Sequence, residues 1–322
     1  MLDIPNNGNF ASLNRGYNAV FHPGKLSLGL VVPIESYATG PVPSMTNHLE
    51  RATLAEELGF SAIWLRDVPF NVPSFGDAGQ VYDPFVYLGA LALQTNKIAL
   101  GVASIILPVR HPAHVAKAAA SVDVLSNGRL LLGIASGDRP EEYPALGISH
   151  ANRGEMFKES YNYIRQMGKS HSEVDNRFGN VAGDIQMLPK PVSERLPLLI
   201  TGASRQSPEW IAENGDGWMM FPRPVQLQAE MIKDYRIRLM SFGGNDKPIM
   251  EPFYLDLLDA PDAPPRPIHL GLALGINYLR EYLNSRRAIG VNHIALNLRF
   301  NQADTEATLK RISEEILPEF NN

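Results

Sequence analysis

The 322-residue sequence contains no cysteine. This absence excludes a disulfide framework, zinc sites with cysteine ligands, iron–sulfur clusters and thiol nucleophiles. No apolar run approaches the roughly 18 residues that cross a bilayer, so no membrane span is predicted. A basic excess is also missing, because the formal net charge is −5, which argues against nucleic acid or an anionic membrane as a partner. The first residues lack the basic and apolar regions of a signal peptide, so we expect a cytoplasmic protein.

Two sequence signatures of cofactor chemistry are missing as well. The chain has no HExxH and no histidine pair with a carboxylate at ligand spacing, so we predict no metal site. A G-x-G-x-x-G fingerprint is absent, so tight binding of a nicotinamide dinucleotide in its usual fold is not indicated. The remaining composition, 44% apolar and 20% charged residues, is that of an ordinary globular protein.

What the sequence does contain is a regular alternation of apolar strand patterns and helical periodicity. The predicted strands are 26–33, 62–67, 98–107, 130–136, 196–201, 217–221, 250–258 and 293–300. The predicted helices are 45–60, 83–95, 111–128, 152–167, 207–215, 225–242, 277–290 and 304–318. Such alternation predicts a parallel sheet with crossover helices, and eight units favour a closed (β/α)₈ TIM barrel, of class α/β, over a doubly wound open sheet. We expect residues 25–322 to form this single domain.

Three segments fall outside the eight units. Residues 1–24 are polar and rich in Gly and Asn, and they are predicted to form an N-terminal arm outside the core. Residues 168–195 are polar with few regular patterns, and residues 259–275 are rich in proline. In a barrel both would be rim insertions, which can cap an active site.

The fifth predicted strand ends in "TGASRQS", Thr201 to Ser207, immediately before a helix. One interpretation is a tight turn at Gly202 followed by an ordinary helix with Ser207 as N-cap and Pro208 at its first position. The other is an anion site, because small residues allow close approach and a helix N-terminus carries unpaired N–H groups. Spacing alone leaves both interpretations open.

The stretch from residue 98 to residue 137 resembles the third-to-fourth strand segment of the luciferase-like monooxygenase family. That pattern combines a glycine-containing strand, a His-Pro turn, a helix, "D-x-L-S-x-G-R" and a glycine-rich strand. The matching residues are Gly101, Pro108, His111, Pro112, Asp123, Leu125, Ser126, Gly128, Arg129, Gly133 and Gly137. Further similar segments are "HLERATLAEELGFSAIWLRD", "RPEEYPALGI" followed by Arg153, and "LPKPVSERLPLLITGAS", so the resemblance covers roughly residues 25–240.

The resemblance implies a (β/α)₈ barrel that binds FMN, or alternatively the deazaflavin F420, at the C-terminal face. It places the flavin phosphate on the turn "TGASRQS". The implied phosphate ligands are Ser204 and Ser207, with Gly202, Ala203 and Arg205 nearby. Ser136 aligns with a position that reaches the phosphate in some members and is Arg in the bacterial luciferases.

Two more residue positions take a meaning from the family. Many members have a bulge with a cis non-proline peptide against which the flavin packs, and the matching bond is Ala103–Ser104. At the end of the second strand, Asp67 stands where the bacterial luciferases have a proton-transferring His. A carboxylate in an apolar barrel mouth can act as acid or base, but Asp67 can equally pair with Arg66 or cap a loop.

The function implied by the resemblance is monooxygenation of a small organic substrate with reduced FMN and O₂. A separate reductase supplies the reduced flavin in two-component members of the family. F420-dependent hydride transfer and flavin binding without catalysis remain alternatives. Family members usually pair through helices two and three, so a homodimer is expected, with close packing at small or apolar residues. Those residues are Ala90, Leu91, Ala118 and Ala119.

Overall fold

The computed structural model describes residues 8–76 and 78–320. The strands, in chain order, are β1 (Ser27–Val31), β2 (Ala62–Leu65), β3 (Ala99–Ile106), β4 (Leu130–Ala135), β5 (Val174–Asn176), β6 (Gly179–Val181), β7 (Leu198–Thr201), β8 (Gly217–Met219), β9 (Ile249–Leu257), β10 (Arg266–Ile268), β11 (Gly271–Leu274) and β12 (His293–Asn297).

The helices are α1 (Arg15–Val20), α2 (His48–Glu57), α3 (Pro84–Gln94), α4 (Pro112–Leu125), α5 (Glu142–Ala145), α6 (Arg153–Met167), α7 (Pro208–Asn214), α8 (Val225–Ser241), α9 (Ile276–Ala288), α10 (Thr305–Glu315) and α11 (Leu317–Phe320). None of the described helices is long and apolar enough to cross a membrane.

Eight of the described strands form the predicted barrel. They are β1, β2, β3, β4, β7, β8, β9 and β12, all paired in parallel, and the β8–β9 and β12–β1 pairings complete the circle. A helix follows every one of these strands on the outside. The TIM barrel is therefore confirmed and the doubly wound sheet is excluded, because an open sheet would leave two unpaired edges.

The barrel interior is filled around one large side chain. Trp64 points inward from β2 and is fully buried. It fits because its neighbour on β3 is Gly101, where a Cβ atom would lie 2.2 Å from the indole ring. The indole Nε1–H donates to His293 Nε2 at 2.8 Å, and Nδ1 of His293 lies 2.7 Å from Ser27 Oγ. Burial lowers the pKa of His293 to about 3, so the imidazole is neutral.

The N-terminal segment belongs to this core. Helix α1 closes the lower end of the barrel, and Tyr17, Val20 and Phe21 are buried in the same cluster as Trp64. Gly16 lets the helix approach closely, because a Cβ atom there would lie 2.6 Å from the Arg129 carbonyl oxygen. The prediction of an arm outside the core is wrong for the segment around α1, since its apolar residues were too few to register as a pattern. Residues 1–7 lie outside the described residues.

Both predicted insertions contain short hairpins. Residues 168–195 include the antiparallel pair β5–β6. Residues 259–275 include the antiparallel pair β10–β11, and β11 pairs in parallel with the last residues of β9, from Tyr254 to Leu257. Because β9 projects beyond its barrel partner β12, the second hairpin stands over the C-terminal mouth of the barrel.

Candidate functional site

A cavity of about 400 Å³ opens at the C-terminal ends of the barrel strands. Cavities of roughly 300–1,000 Å³ hold cofactors and small substrates, and this end of a TIM barrel carries the active site. Small side chains and methionines form the floor, which is therefore apolar. The floor residues are Val31, Ala135, Met219, Met250 and Ala295.

One side of the cavity is shaped by an irregularity in β3. The register between β3 and β4 shifts between Val102 and Ile105, and the Ala103–Ser104 peptide between them is cis, as predicted. Both residues line the cavity. Ser104 Oγ bonds to Thr201 Oγ1, and Thr201 Oγ1 contacts Met219 Sδ at 3.1 Å. Two hydroxyl groups thus lie on a wall that is otherwise apolar.

The turn after β7 forms the adjoining edge of the cavity. Gly202, Ser204 and Arg205 all have positive φ, at 55°, 43° and 60°. A Cβ atom built on Gly202 would meet no atom within 4 Å, so a ligand can approach this backbone closely. Gly202 and Ser204 line the cavity, whereas Ala203, Arg205 and Ser207 lie beside it on the exposed side of the turn.

The two hydroxyl groups predicted as phosphate ligands also hold the turn together. Ser204 Oγ donates to the Thr201 carbonyl at 2.7 Å. Ser207 Oγ accepts from the Trp210 N–H at 3.2 Å and caps α7, with Pro208 at the first helical position. The features of the tight-turn interpretation are therefore present. In this conformation the Ser204 proton is engaged, so anion binding would depend on backbone N–H groups and nearby positive charge.

Positive charge gathers next to this turn. The Cβ atom of Arg205 lies 2.9 Å from the position that a Cβ on Gly154 would occupy, so α6 begins directly beside the turn. Arg153 precedes Gly154. Partial burial, together with the positive charges of Arg153 and Arg205, lowers the pKa of His150. The two arginine side chains place positive charge at this edge, which favours an anionic group.

Ser136 lies on the cavity wall directly after β4 and is buried, and its contact with a phosphate stays a prediction. Its carbonyl accepts from the Tyr143 hydroxyl, which fixes the loop between β4 and α5. Burial raises the pKa of Tyr143 to about 12. In the same loop, Arg139 lines the cavity and stacks over Phe75 with 4.6 Å to the ring centroid.

Asp67 lines the cavity, but its carboxylate is already paired. Arg110 donates to it twice, at 2.7 Å and 2.9 Å, and the Ile106 N–H donates at 3.1 Å. Arg110 also bridges to Asp83 at 2.9 Å. The sequence suggested Arg66 as the ion-pair partner of Asp67. In the structure the partner is Arg110. The acid–base role of Asp67 stays a hypothesis, and it would require this bidentate pair to open.

Sequence reasoning did not single out the residues on the opposite wall. Tyr254, His269, Leu270 and Asn297 line the cavity from β9, the β10–β11 hairpin and β12. Asn297 could have been identified from the sequence. Side chains alternate along a strand, so a polar residue at an inward position of the last barrel strand indicates a site residue. His269 lies in the predicted rim insertion 259–275, but no pattern within that segment singled it out, and it reaches the cavity because the hairpin folds over the mouth.

A family model described as luciferase-like monooxygenase matches residues 26–249. An uncharacterized protein of Mycobacterium tuberculosis is 30% identical over 240 residues, which are 69% of this chain and 83% of that protein. Its description carries no activity.

Two solved structures share the fold at low identity. An F420-dependent secondary alcohol dehydrogenase, in complex with an F420–acetone adduct, superposes with a TM-score of 0.76 and 17% identity, over 92% of this chain and 100% of that one. The oxygenating constituent of 3,6-diketocamphane monooxygenase from Pseudomonas putida, a type II Baeyer–Villiger monooxygenase in complex with FMN, gives 0.74 and 15%, over 92% and 99%. At these identities the two structures establish the fold alone.

Proposed function

Because the chain belongs to the luciferase-like monooxygenase family, we propose that this oxidoreductase is a monooxygenase that uses reduced FMN and O₂ on a small organic substrate. The observation that supports the proposal most directly is the continuity of the cavity with the turn Gly202–Ser207. One end is apolar and of a size for a flavin ring. The other end is open above Gly202 and has Arg153 and Arg205 close by, which suits a phosphate. F420 is the alternative cofactor, since a structure of the same fold carries it.

The residues present fit a flavin. Its planar ring would lie on the small floor residues and against Ala103 and Ser104, with Ser136 on the neighbouring strand. Its phosphate would lie at Gly202–Ser207, where the backbone N–H groups, Arg205 and Arg153 provide positive potential. Bound reduced FMN would supply two electrons and activate O₂. The protein would orient the ring and exclude water with Phe75, Met220 and Phe221, which line the cavity.

The proposal is tested by flavin titration, with Ser204→Asp as the diagnostic variant. Aspartate tolerates positive φ but cannot donate to the Thr201 carbonyl as Ser204 does, so some stability should be lost. Its charge should in addition repel the phosphate and raise the FMN dissociation constant by roughly tenfold or more. The matched control is Ser241→Asp, because Ser241 Oγ also donates to the carbonyl three residues earlier at 2.7 Å. FMN binding is read from flavin fluorescence and thermal stability from circular dichroism.

Three results would contradict parts of the proposal. An unchanged dissociation constant in Ser204→Asp would remove the phosphate from this turn. Tight F420 binding with no FMN binding would favour the alternative cofactor. No binding of either flavin at micromolar concentration would refute flavin chemistry altogether. Oxygen uptake with reduced FMN and candidate substrates then separates a monooxygenase from a protein that only binds flavin.

We also propose that a separate reductase supplies the reduced flavin. The chain lacks a dinucleotide fingerprint, so NADH or NADPH added to the FMN-loaded protein should leave the flavin oxidised. Rapid bleaching of the flavin absorbance by either nucleotide alone would contradict a two-component system.

We propose a homodimer that pairs through α3 and α4. Its contact surface differs from the one expected from the sequence. Of the residues expected to pack there, Leu91 and Ala119 are fully buried in the barrel core. The outer face of α3 instead presents an apolar stripe at helical spacing. Val86 is 74% exposed and Leu93 is 76% exposed, with Ala90 between them. Apolar side chains this exposed are typical of a surface that a partner covers.

A further inference from the structure

The wall of the cavity opposite the proposed flavin site comes from a part of the chain that the family model does not match. The match ends at residue 249, whereas β9, the β10–β11 hairpin and β12 contribute Tyr254, His269, Leu270 and Asn297. Family similarity over residues 26–249 accounts for the barrel wall and the turn after β7. The family model therefore carries no information about which ligand the wall beyond residue 249 prefers, and that wall has to be read from its own residues.

Asn297 is the buried polar group of this wall. Along β12 the inward side chains are His293, Ala295 and Asn297, in steps of two from the lower end of the barrel to its mouth. Asn297 is only 2% exposed, so the space it meets is the cavity.

The orientation of the Asn297 amide is fixed by one hydrogen bond. The backbone N–H of Arg299 donates to Asn297 Oδ1 at 3.0 Å. Because Oδ1 is held by this backbone N–H, Nδ2 and its two protons face the cavity. Among the residues that the structure describes, none accepts a hydrogen bond from Nδ2.

A buried amide donor without an acceptor is unfavourable, so a donor held in this orientation is suited to a ligand acceptor. Asn297 carries no charge. Tyr254, its register partner on β9, and Leu270 line the same cavity and offer apolar surface. Tyr254 packs edge-on to His269, with ring centroids 5.9 Å apart, which keeps the hairpin against the cavity.

We propose that Asn297 Nδ2 donates a hydrogen bond to the carbonyl oxygen of a neutral, largely apolar substrate, and that Asn297 is a specificity-determining residue of the site. Calling the ligand a substrate rests on the proposed function. The hydrogen bond from Asn297 depends only on the cavity. A carbonyl oxygen accepts and does not donate, so it matches a wall that presents N–H groups.

The experiment compares two probes that differ in one carbonyl group, acetophenone and ethylbenzene. Calorimetric titrations use the protein with saturating oxidised FMN, and they are repeated without FMN. The wild type should bind acetophenone roughly tenfold more tightly than ethylbenzene, because a site built to donate a hydrogen bond discriminates against a ligand that lacks the acceptor.

Asn297→Asp at pH 8 is the diagnostic variant. The carboxylate keeps an oxygen for the Arg299 N–H but replaces the donor with a second acceptor, so the preference for acetophenone should disappear or reverse. Asn297→Leu, which has a similar size and no donor, should also abolish it. Retention of the preference in either folded variant, or its absence from the wild type, would overturn the proposal.

The matched control is Asn292→Asp. Asn292 is equally buried but lies at the opposite end of the barrel, where Nδ2 donates to the His22 carbonyl at 3.1 Å and Oδ1 accepts from the Ile249 N–H at 3.1 Å. Its replacement should lower stability and leave the preference intact. Loss of the preference in this control would mean that the effect is structural and would overturn the assignment to Asn297.

Flavin titrations distinguish failure of this inference from failure of the proposed function. Under the proposal, Asn297→Asp keeps the FMN affinity of the wild type. Weakened FMN binding with an intact preference for acetophenone would assign the amide to the flavin and overturn the inference. Absence of FMN binding to the wild type would refute the proposed function, while the two probes would still decide the role of Asn297 in the free protein.

Discussion

The neutral histidine inside the barrel makes the protein sensitive to acid in a predictable way. Trp64 Nε1 donates to His293 Nε2, so the single imidazole proton is on Nδ1 and is donated to Ser27 Oγ. The Ser27 hydroxyl in turn donates a hydrogen bond to the Val20 carbonyl at 2.8 Å. A second proton on His293 would place two donors face to face at Trp64, in a fully buried site.

The sign and size of the effect follow from proton linkage. The folded pKa of His293 is about 3, whereas an unfolded histidine titrates near 6.5. Between these values only the unfolded chain binds the proton, so folding free energy is lost as the pH falls through this window. From pH 7 to pH 5 the loss attributable to His293 is about 2 kcal/mol, a substantial part of the 5–15 kcal/mol that stabilises a typical domain.

The assay compares urea unfolding of the wild type and His293→Gln at both pH values, followed by fluorescence and circular dichroism. Glutamine does not titrate, so the wild type should lose about 2 kcal/mol more than the variant on acidification, whatever their difference at pH 7. The exposed His171→Gln serves as control and should follow the wild type. If the wild type and His293→Gln lose the same free energy, His293 is not held neutral by burial and the reasoning is refuted.

Three further substitutions test the packing, the ion pair and the proposed dimer. Gly101→Ala places a Cβ atom 2.2 Å from the Trp64 ring and should lower the unfolding free energy by about 2 kcal/mol, measured in urea. Arg110→Met leaves the Asp67 carboxylate buried without its bidentate partner and should cost about 3 kcal/mol in the same measurement. Leu93→Glu puts a charge on the exposed stripe of α3 and should convert a dimer into a monomer in sedimentation velocity.

Each of these substitutions has a matched control. In Gly244→Ala the new Cβ atom meets no atom within 4 Å, so the unfolding free energy should change by less than about 0.5 kcal/mol. If Gly101→Ala changes the unfolding free energy by no more than Gly244→Ala does, the steric argument is contradicted. Arg177→Met breaks an exposed ion pair and should cost at most about 1 kcal/mol, so a similar value for Arg110→Met would contradict burial as the cause. Ile237→Glu, on the exposed face of α8, should leave the oligomeric state unchanged.

Elements that depend on local chemistry were predictable from the sequence. Asp83 caps α3 and Pro84 begins it, and Ser207 caps α7, because a side-chain acceptor and a proline at these positions act within one turn of helix. Repetition of the strand–helix unit then determined the barrel, since parallel strands with crossover helices close when eight of them are present. The family resemblance supplied the Ala103–Ser104 position, which is a cis peptide in the structure.

Contacts between residues far apart in the chain were decided only by the tertiary structure. Asp67 pairs with Arg110, 43 positions away, and helix α1 closes the barrel beneath Trp64. His269 reaches the cavity because β11 adds to the overhang of β9. The sequence determined which segments become strands and helices and in what order they alternate, because hydrophobic period and capping are local. Which polar groups meet in the mouth, Asn297 among them, depended on register and barrel closure, which no local pattern encodes.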